Sequence, residues 1–349
     1  MNVIRLSDMK NVNLPNGAAL ALGFFDGVHI GHRSIIENAR RVSGEAPVAV
    51  WMIDPYEDAA EGSPHDFKNG PLLLTQKKEK LERLKKCGAE YAVFCSFKAI
   101  KNMSGEEFVR DIISGKLAAS HVVCGFNFRF GCGALCGVSE LKELSEKYGI
   151  SCTVSGAVER GGETVSSSRI RALVSSGNVE GACELLGEPF AFTLPVVHGK
   201  KLGRTLGFPT VNQIIPSFLV SPARGVYAAR VTLYSDGKKK TYPGAANIGV
   251  CPTVNAEALT EAGIPEESAA AFGAAREGHV VCETYISGYR GDLYGDNIKV
   301  EFLRMLRGEM RFENLDALTE RIKANAQSAE KIYAEFEKGN FCSVLQADL

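Results

Sequence analysis

The hydrophobic pattern changes period once along this chain, near Gly187, and that change limits the fold more than any other feature. Upstream, apolar runs at residues 18–24, 47–53, 91–95 and 122–125 have strand length, and stretches of helical spacing separate them. Residues 33–42 carry Ile35, Ile36 and Ala39 on one face. Thr75 opens a second helix, with Leu81 and Leu84 in its stripe and Gly88 as its stop. Ser104 and Glu107 form a capping box ahead of Phe108 and Ile112, and residues 139–149 read as a further helix. Strands separated by helices imply a parallel sheet with right-handed crossovers. Residues 1–187 are therefore expected to form a doubly wound α/β domain. The charged run at 77–86 reads as the solvated face of its helix.

Downstream the helical period disappears. Short β-rich runs at 190–197, 225–234, 241–247, 280–286 and 297–303 alternate with Gly and Pro turns, including Asp236-Gly237. Such spacing predicts an antiparallel barrel or sandwich over 188–349. One amphipathic helix closes it across 314–338, with Leu318, Ile322, Ala329, Ile332 and Phe336 in register and Gly339 as its stop. The Ala- and Glu-rich residues 256–277 read as an insertion.

Composition narrows the function classes. Of 349 residues, 40 are Lys or Arg and 41 are Asp or Glu, for a net charge of −1. That balance lacks the basic field of a general nucleic-acid binder. No run reaches the ~18 apolar residues of a membrane span. The longest candidate, 208–223, is interrupted by Pro209, Asn212, Pro216 and Pro222. Residues 1–15 lack the apolar core of a secretory signal. A soluble, cytoplasmic protein that binds neither nucleic acid nor membrane is expected, and no oligomeric state follows. The ten cysteines include no C-x-x-C pair, which fits reduced thiols. Cys132 and Cys136 have no further ligand at metal spacing.

The first strand runs into Gly23-Phe24-Phe25-Asp26-Gly27-Val28-His29-Ile30-Gly31-His32 and then a helix. Glycines let the backbone approach a ligand there, and a helix N-terminus offers amides to an anion. His29 and His32 add donors that could stabilise charge growing on an α-phosphate. A plain packing pair and a metal pair also fit those two residues alone. Ser166-Ser167-Ser168-Arg169-Ile170-Arg171 opens another helix. Its hydroxyls could be N-caps, but Arg171 in a first turn opposes the helix dipole and calls for an anion. This cluster is expected to serve the same triphosphate as His29. Gly125-Phe126-Asn127-Phe128-Arg129-Phe130-Gly131 ends a strand, where α/β sheets bind ligands.

These segments together resemble the bacterial bifunctional riboflavin kinase/FAD synthetase family. Its H-x-G-H nucleotidyltransferase signature corresponds to His29-Ile30-Gly31-His32. Its G-R-x-x-G-F-P-T-A-N signature corresponds to Gly203-Arg204-Thr205-Leu206-Gly207-Phe208-Pro209-Thr210-Val211-Asn212. Gly225-Val226-Tyr227-Ala228, Asn247-Ile248-Gly249, Asp292-Leu293-Tyr294-Gly295 and residues 306–312 follow in the family's order. The resemblance implies a Rossmann-like adenylyltransferase, then a six-stranded barrel kinase with a terminal helix. It implies riboflavin, FMN, FAD and ATP as ligands and Mg²⁺ as cofactor. Gly23, Phe25, Asp26, Gly27, Gly31, Asn127, Ser166, Ser167, Ser168, Arg171, Gly203, Gly207 and Pro209 are the implied nucleotide and phosphate contacts. Thr210 and Asn212 are the implied Mg²⁺ ligands, beside a turn stiffened by Pro209, and neutral oxygens suit that ion. GFPT alone would equally be a structural turn. Glu283 is the implied base for the ribityl hydroxyl, although by itself it reads as an ordinary strand carboxylate.

The chain departs from the family pattern at Tyr56, Glu57, Phe126, Cys251 and Asn325 and in the length of 256–277. These positions surround substrate pockets and not the phosphate-handling residues. Two rival readings are a kinase whose adenylyltransferase half has decayed and a flavin- or nucleotide-binding regulator without turnover.

Overall fold

In the computed structural model, residues 1–6, 14–15, 17–54, 72–199, 207–235, 237–251 and 279–339 are described. Gly203, Arg204, Tyr56, Glu57 and the 256–277 stretch lie outside them. The chain forms two compact units, Met1–Gly70 with Lys77–Ser166, and Pro71–Gln76 with Ser167–Leu349.

The first unit contains β1 Asn2–Arg5, β2 Ala19–Leu22, α1 Ile30–Ser43, β3 Val48–Ile53, α2 Lys77–Lys86, β4 Tyr91–Cys95 and α3 Phe97–Ile100. There follow α4 Gly105–Glu107, a π-helical stretch Phe108–Lys116, β5 His121–Gly125, α5 Val138–Lys147, β6 Ser151–Ser155 and the short β7 Glu159–Arg160 and β8 Glu163–Thr164. Six parallel strands stand in the order β1-β4-β3-β2-β5-β6. β2 is buried along its whole length, as a strand covered on both faces must be, and so it reads as an unbroken apolar run. Trp51 and Phe108 pack on one face of the sheet, and Ile36 and Phe94 on the other. The Ser104–Glu107 capping box forms as the spacing predicts. The edge strands β1 and β6 carry too little apolar signal to be read from sequence, so the run at 122–125 is the fifth strand and not the fourth. From β2 the chain first builds outward through β3 and β4, then crosses to β5 on the other side of β2. The strand order reverses between β2 and β5.

The second unit contains α6 Ser167–Ser175, α7 Val179–Leu186, β9 Phe190–Pro195, β10 Thr210–Ile214, β11 Gly225–Ser235, β12 Lys238–Cys251, β13 His279–Ile286, β14 Asn297–Arg307 and α8 Leu315–Glu337. The antiparallel sheet has the order β10-β13-β12-β11-β14-β9. It curls until Val197, just past β9, bridges Asn212 on β10. Gln213, fully buried, ties the closure by donating to Leu194 O at 2.7 Å and Ile298 O at 3.0 Å. Of barrel and sandwich, the barrel forms. Phe192, Tyr227 and Phe302 pack inside it. α8 covers the outer face through Ala329 and Ile332 against Ala228 and Leu303, and Asn314 caps its N-terminus. Thr210 and Asn212 lie on strand β10, directly after Pro209, and that strand, absent from the β-rich runs read in the sequence, is the sixth of the barrel, between β13 and β9. Among the described residues no helix is long and apolar enough to cross a membrane.

Candidate active sites

At the carboxyl end of β2, the loop that follows takes an uncommon path. Phe25 and Val28 have φ of 50° and 46°, and a β-branched residue there costs on the order of 1–3 kcal/mol of local strain. Phe25 and Asp26 are fully buried, so what they can offer a ligand is backbone. Gly23 and Gly31 make room for neighbouring rings. A Cβ at Gly23 would sit 2.9 Å from the Phe25 ring, and one at Gly31 3.2 Å from the His29 ring.

His29 is the N-cap of α1. Its Nδ1 accepts the His32 amide at 3.3 Å, which puts the proton on Nε2 and makes that edge a donor. Its ring stacks on His32 with centroids 3.6 Å apart. The His32 imidazole is held well below the usual histidine pKa, first by burial and then by the charges of His29 and Lys80. His32 therefore stays neutral against the His29 ring. The Arg33 amide bonds His29 O, which leaves the first amides of α1, at Ile30 and Gly31, for an external anion.

The face of α2 overturns one expectation. Residues 77–86 are not simply a solvated face, because Glu79, Lys80 and Arg83 are all buried. Lys80 Nζ donates to Phe24 O at 3.4 Å, and Arg83 donates to Gly27 O at 2.9 Å and to Glu79 at 3.2 Å. Lys77 pairs with Asp54, which lies just past β3. The signal was present as cations at 77, 80 and 83, one stripe of a helix, but composition alone could not say which way the stripe faced.

Beside this loop, Gly125 ends β5, and the Asn127 side chain folds back to within 3.4 Å of where a Gly125 Cβ would stand. Asn127 and Phe126 are exposed. The His29 loop and Asn127 thus flank the point where strand order reverses, the crevice in which open α/β sheets bind ligands. Val165 O approaches Gly31, and Ser166 follows as the last residue of the first unit. Ser167, Ser168 and Arg171 belong to the second unit, where Arg171 Nε donates to Leu72 O at 2.5 Å.

In the barrel, Glu283 of β13 is the cross-strand partner of Asn212 on β10 and of Asn247 on β12. Its neighbours Cys282 and Thr284 are fully buried, and burial pushes the Cys282 thiol up to about 12. The two-residue period therefore turns Glu283 and Tyr285 to the α8 side, where they line a cavity of about 540 Å³ with Thr210, Asn247 and Arg307. A second cavity of about 270 Å³ is lined by Pro209, Thr210, Asp292 and Tyr294. Thr210 borders both. The Asn212 amide lies against the backbone of Gly199, where a Cβ would collide with it. Gly207 has φ of 82° with open space around it. Among the described residues no group of three or more His, Cys, Asp or Glu could hold a metal. A cation in the barrel would instead use neutral oxygens and substrate phosphates, which is how Mg²⁺ is commonly held. Asn247 was visible in the sequence only as part of a matching motif; pairing with Glu283 gives it a place in the site.

Residues 12–169 match the FAD synthetase family and residues 186–333 the riboflavin kinase family. The bifunctional riboflavin kinase/FMN adenylyltransferase of Escherichia coli (strain K12) is 32% identical over 320 residues, covering 91% of this chain and 93% of that one. The chain belongs to the bifunctional riboflavin kinase/FMN adenylyltransferase family. The Bacillus subtilis (strain 168) member is 29% identical over 327 residues, 92% of this chain and 94% of that one. A crystal structure from Streptococcus pneumoniae, described as a macrolide-efflux protein, matches with a TM-score of 0.76 at 25% identity over 95% of this chain and 99% of its own. The FAD synthetase match falls largely on the α/β unit and the riboflavin kinase match on the unit that holds the barrel.

Proposed function

We propose that the barrel transfers the γ-phosphoryl group of ATP to riboflavin, giving FMN and ADP, and that the α/β unit joins FMN to the AMP portion of a second ATP, giving FAD and pyrophosphate. The observation that carries the reading is Glu283, aligned between Asn212 and Asn247 on a cavity wall that shares Thr210 with a second cavity. Riboflavin on the Glu283 side puts its terminal ribityl hydroxyl near the carboxylate, and ATP on the other side puts its phosphates near Thr210. Glu283 accepts the hydroxyl proton as the oxygen bonds to the γ-phosphorus and the bond to the ADP oxygen breaks. Thr210 and Asn212 would hold Mg²⁺, which when bound offsets phosphate charge. Gly203, Gly207 and Pro209 are assigned to the ATP side by the family resemblance.

In the α/β unit, a phosphate oxygen of FMN attacks the α-phosphorus of ATP and pyrophosphate leaves. His29 Nε2–H and the Ile30 and Gly31 amides donate to oxygens that gain charge in that step, and His32 backs His29 as a neutral partner. Gly23, Asp26, Gly27 and Asn127 shape the pocket, with Phe25 as its buried support. Ser166, Ser167, Ser168 and Arg171 are assigned to ATP phosphates by the family motif. We divide the two activities at Gly187, and unbridged thiols at Cys124 and Cys282 suit a cytoplasmic enzyme. Incubating the full chain with riboflavin, ATP and Mg²⁺ should yield FMN first and FAD second on chromatography. FMN alone would leave a kinase with a decayed partner, and neither product would leave a binding protein.

A further inference from the structure

Stability does not explain the cationic face of α2. Burying an ammonium and a guanidinium costs much of their hydration, and although Glu79 pairs with Arg83 at 3.2 Å, such buried pairs add little stability over apolar residues of similar volume. What these side chains touch is the substrate loop. Lys80 holds Phe24 O, Arg83 holds Gly27 O, and Arg33 of α1 holds Val28 O at 3.2 Å. In a planar trans peptide the N–H points opposite to the C=O. Drawing Phe24 O and Val28 O toward cations therefore turns the Phe25 and His29 amides the other way. Lys80 also lies 4.9 Å from the centroid of the Phe24 ring, so one buried ammonium holds both the backbone and the side chain of that residue.

We propose that Lys80, seconded by Arg83, is a positioning residue for adenylyl transfer, fixing the Phe24 and Gly27 carbonyls so that the loop amides and His29 face the ATP phosphates. This rests on assigning that reaction to the His29 loop. A second effect follows from the same placement. The charged groups acting on His32 are His29 from the loop and Lys80 from α2, while β2, β3 and β5 behind α1 present Ala21, Val50 and Val123. Removing the ammonium should let His32 take up a proton at higher pH.

The test uses the full chain. Lys80→Met, close in shape and uncharged, should lower FAD formation from FMN about 10- to 100-fold, mainly in kcat. Riboflavin phosphorylation in the same preparation should stay at the parent rate. Lys80→Arg, which keeps the charge and the reach to Phe24 O, should recover most of the loss. The six histidines give few enough imidazole signals to follow by carbon-edited NMR, with His32 assigned as the signal missing in His32→Gln. The parent His32 should stay neutral at pH 5.5, and its titration should move up in Lys80→Met. A folded Lys80→Met making FAD at the parent rate would overturn the inference, and so would an unmoved His32 titration. If Lys80→Met does not fold, Lys80→Gln takes its place under the same two criteria. Parent-rate FAD formation by a folded His29→Asn would instead sink the underlying assignment, whatever Lys80 does.

Discussion

His29 caps α1 and is the proposed donor to the ATP phosphates, and a pair of substitutions can divide the two roles. It caps α1 through Nδ1 and presents Nε2–H as a donor. His29→Ala removes both. Loss of a side-chain cap costs about 1 kcal/mol of stability, and the missing ring also leaves His32 without its stacking partner at 3.6 Å. Loss of one transition-state donor costs roughly 10²–10³ in rate, or about 2.7–4 kcal/mol of barrier at ~1.4 kcal/mol per tenfold. His29→Asn separates the two. Asn is among the best N-caps, and the cap backbone at φ −66° and ψ 170° suits it, so most of the lost stability should return. The short amide cannot reach where the imidazole edge stands, so FAD formation should stay down by a similar factor. The assay pairs thermal melting with FAD formation from FMN and, separately, FMN formation from riboflavin. Recovery of FAD formation to within about tenfold of the parent in His29→Asn would reduce the imidazole to a cap. Equal loss of both activities in a folded variant would refute the assignment of two separate sites.

Other expectations can be checked in the same preparations. Glu283→Gln keeps shape but removes the accepting charge, so phosphorylation should fall roughly 10²–10⁴-fold while riboflavin binding, followed by flavin titration, survives; turnover at the parent rate would make Glu283 a plain strand carboxylate. Burial pushes the Glu301 carboxyl up, but Arg230, paired at 2.7 and 2.9 Å, together with Lys299 brings it below the usual range. Its stabilisation is therefore complete above the unfolded value near ~4.3 and is lost as pH falls through the lower folded value. Glu301→Gln should cost roughly 1.5–3 kcal/mol at pH 7 and flatten the acid limb of melting temperature against pH; an unchanged acid limb would exclude Glu301 as its source. A fragment of residues 188–349 should still phosphorylate riboflavin, yet melt below one of residues 167–349. It lacks α7, whose Val179, Leu185 and Leu186 are buried at about 1.5–3 kcal/mol each, and it lacks Glu180, which pairs with Arg304 at 2.7 Å. Equal melting of the two fragments would show that α7 adds nothing to the barrel.

Where a signal is local, the sequence alone determined the outcome. The apolar run of β2, the stripe of Ile35, Ile36 and Ala39, the Ser104–Glu107 box and the Gly339 stop of α8 each depend on residues within one or two turns of each other, and all formed as read. The motifs proposed to handle phosphate also stand out in the sequence, because glycine, histidine and serine recur there at fixed spacing. What depends on the opposite strand or the neighbouring helix was not legible. β1 and β6 are strands because β4 and β5 offer them edges to pair with, and Thr210–Ile214 is a strand because the barrel closes through it. The alignment of Glu283 with Asn212 and Asn247 exists only through the register of three strands distant in sequence. The direction of the Lys77, Lys80 and Arg83 stripe was decided last and by tertiary structure alone. Burying a charged helix face costs hydration, and only the path of the loop after β2 places the Phe24 and Gly27 carbonyls within reach of Lys80 and Arg83.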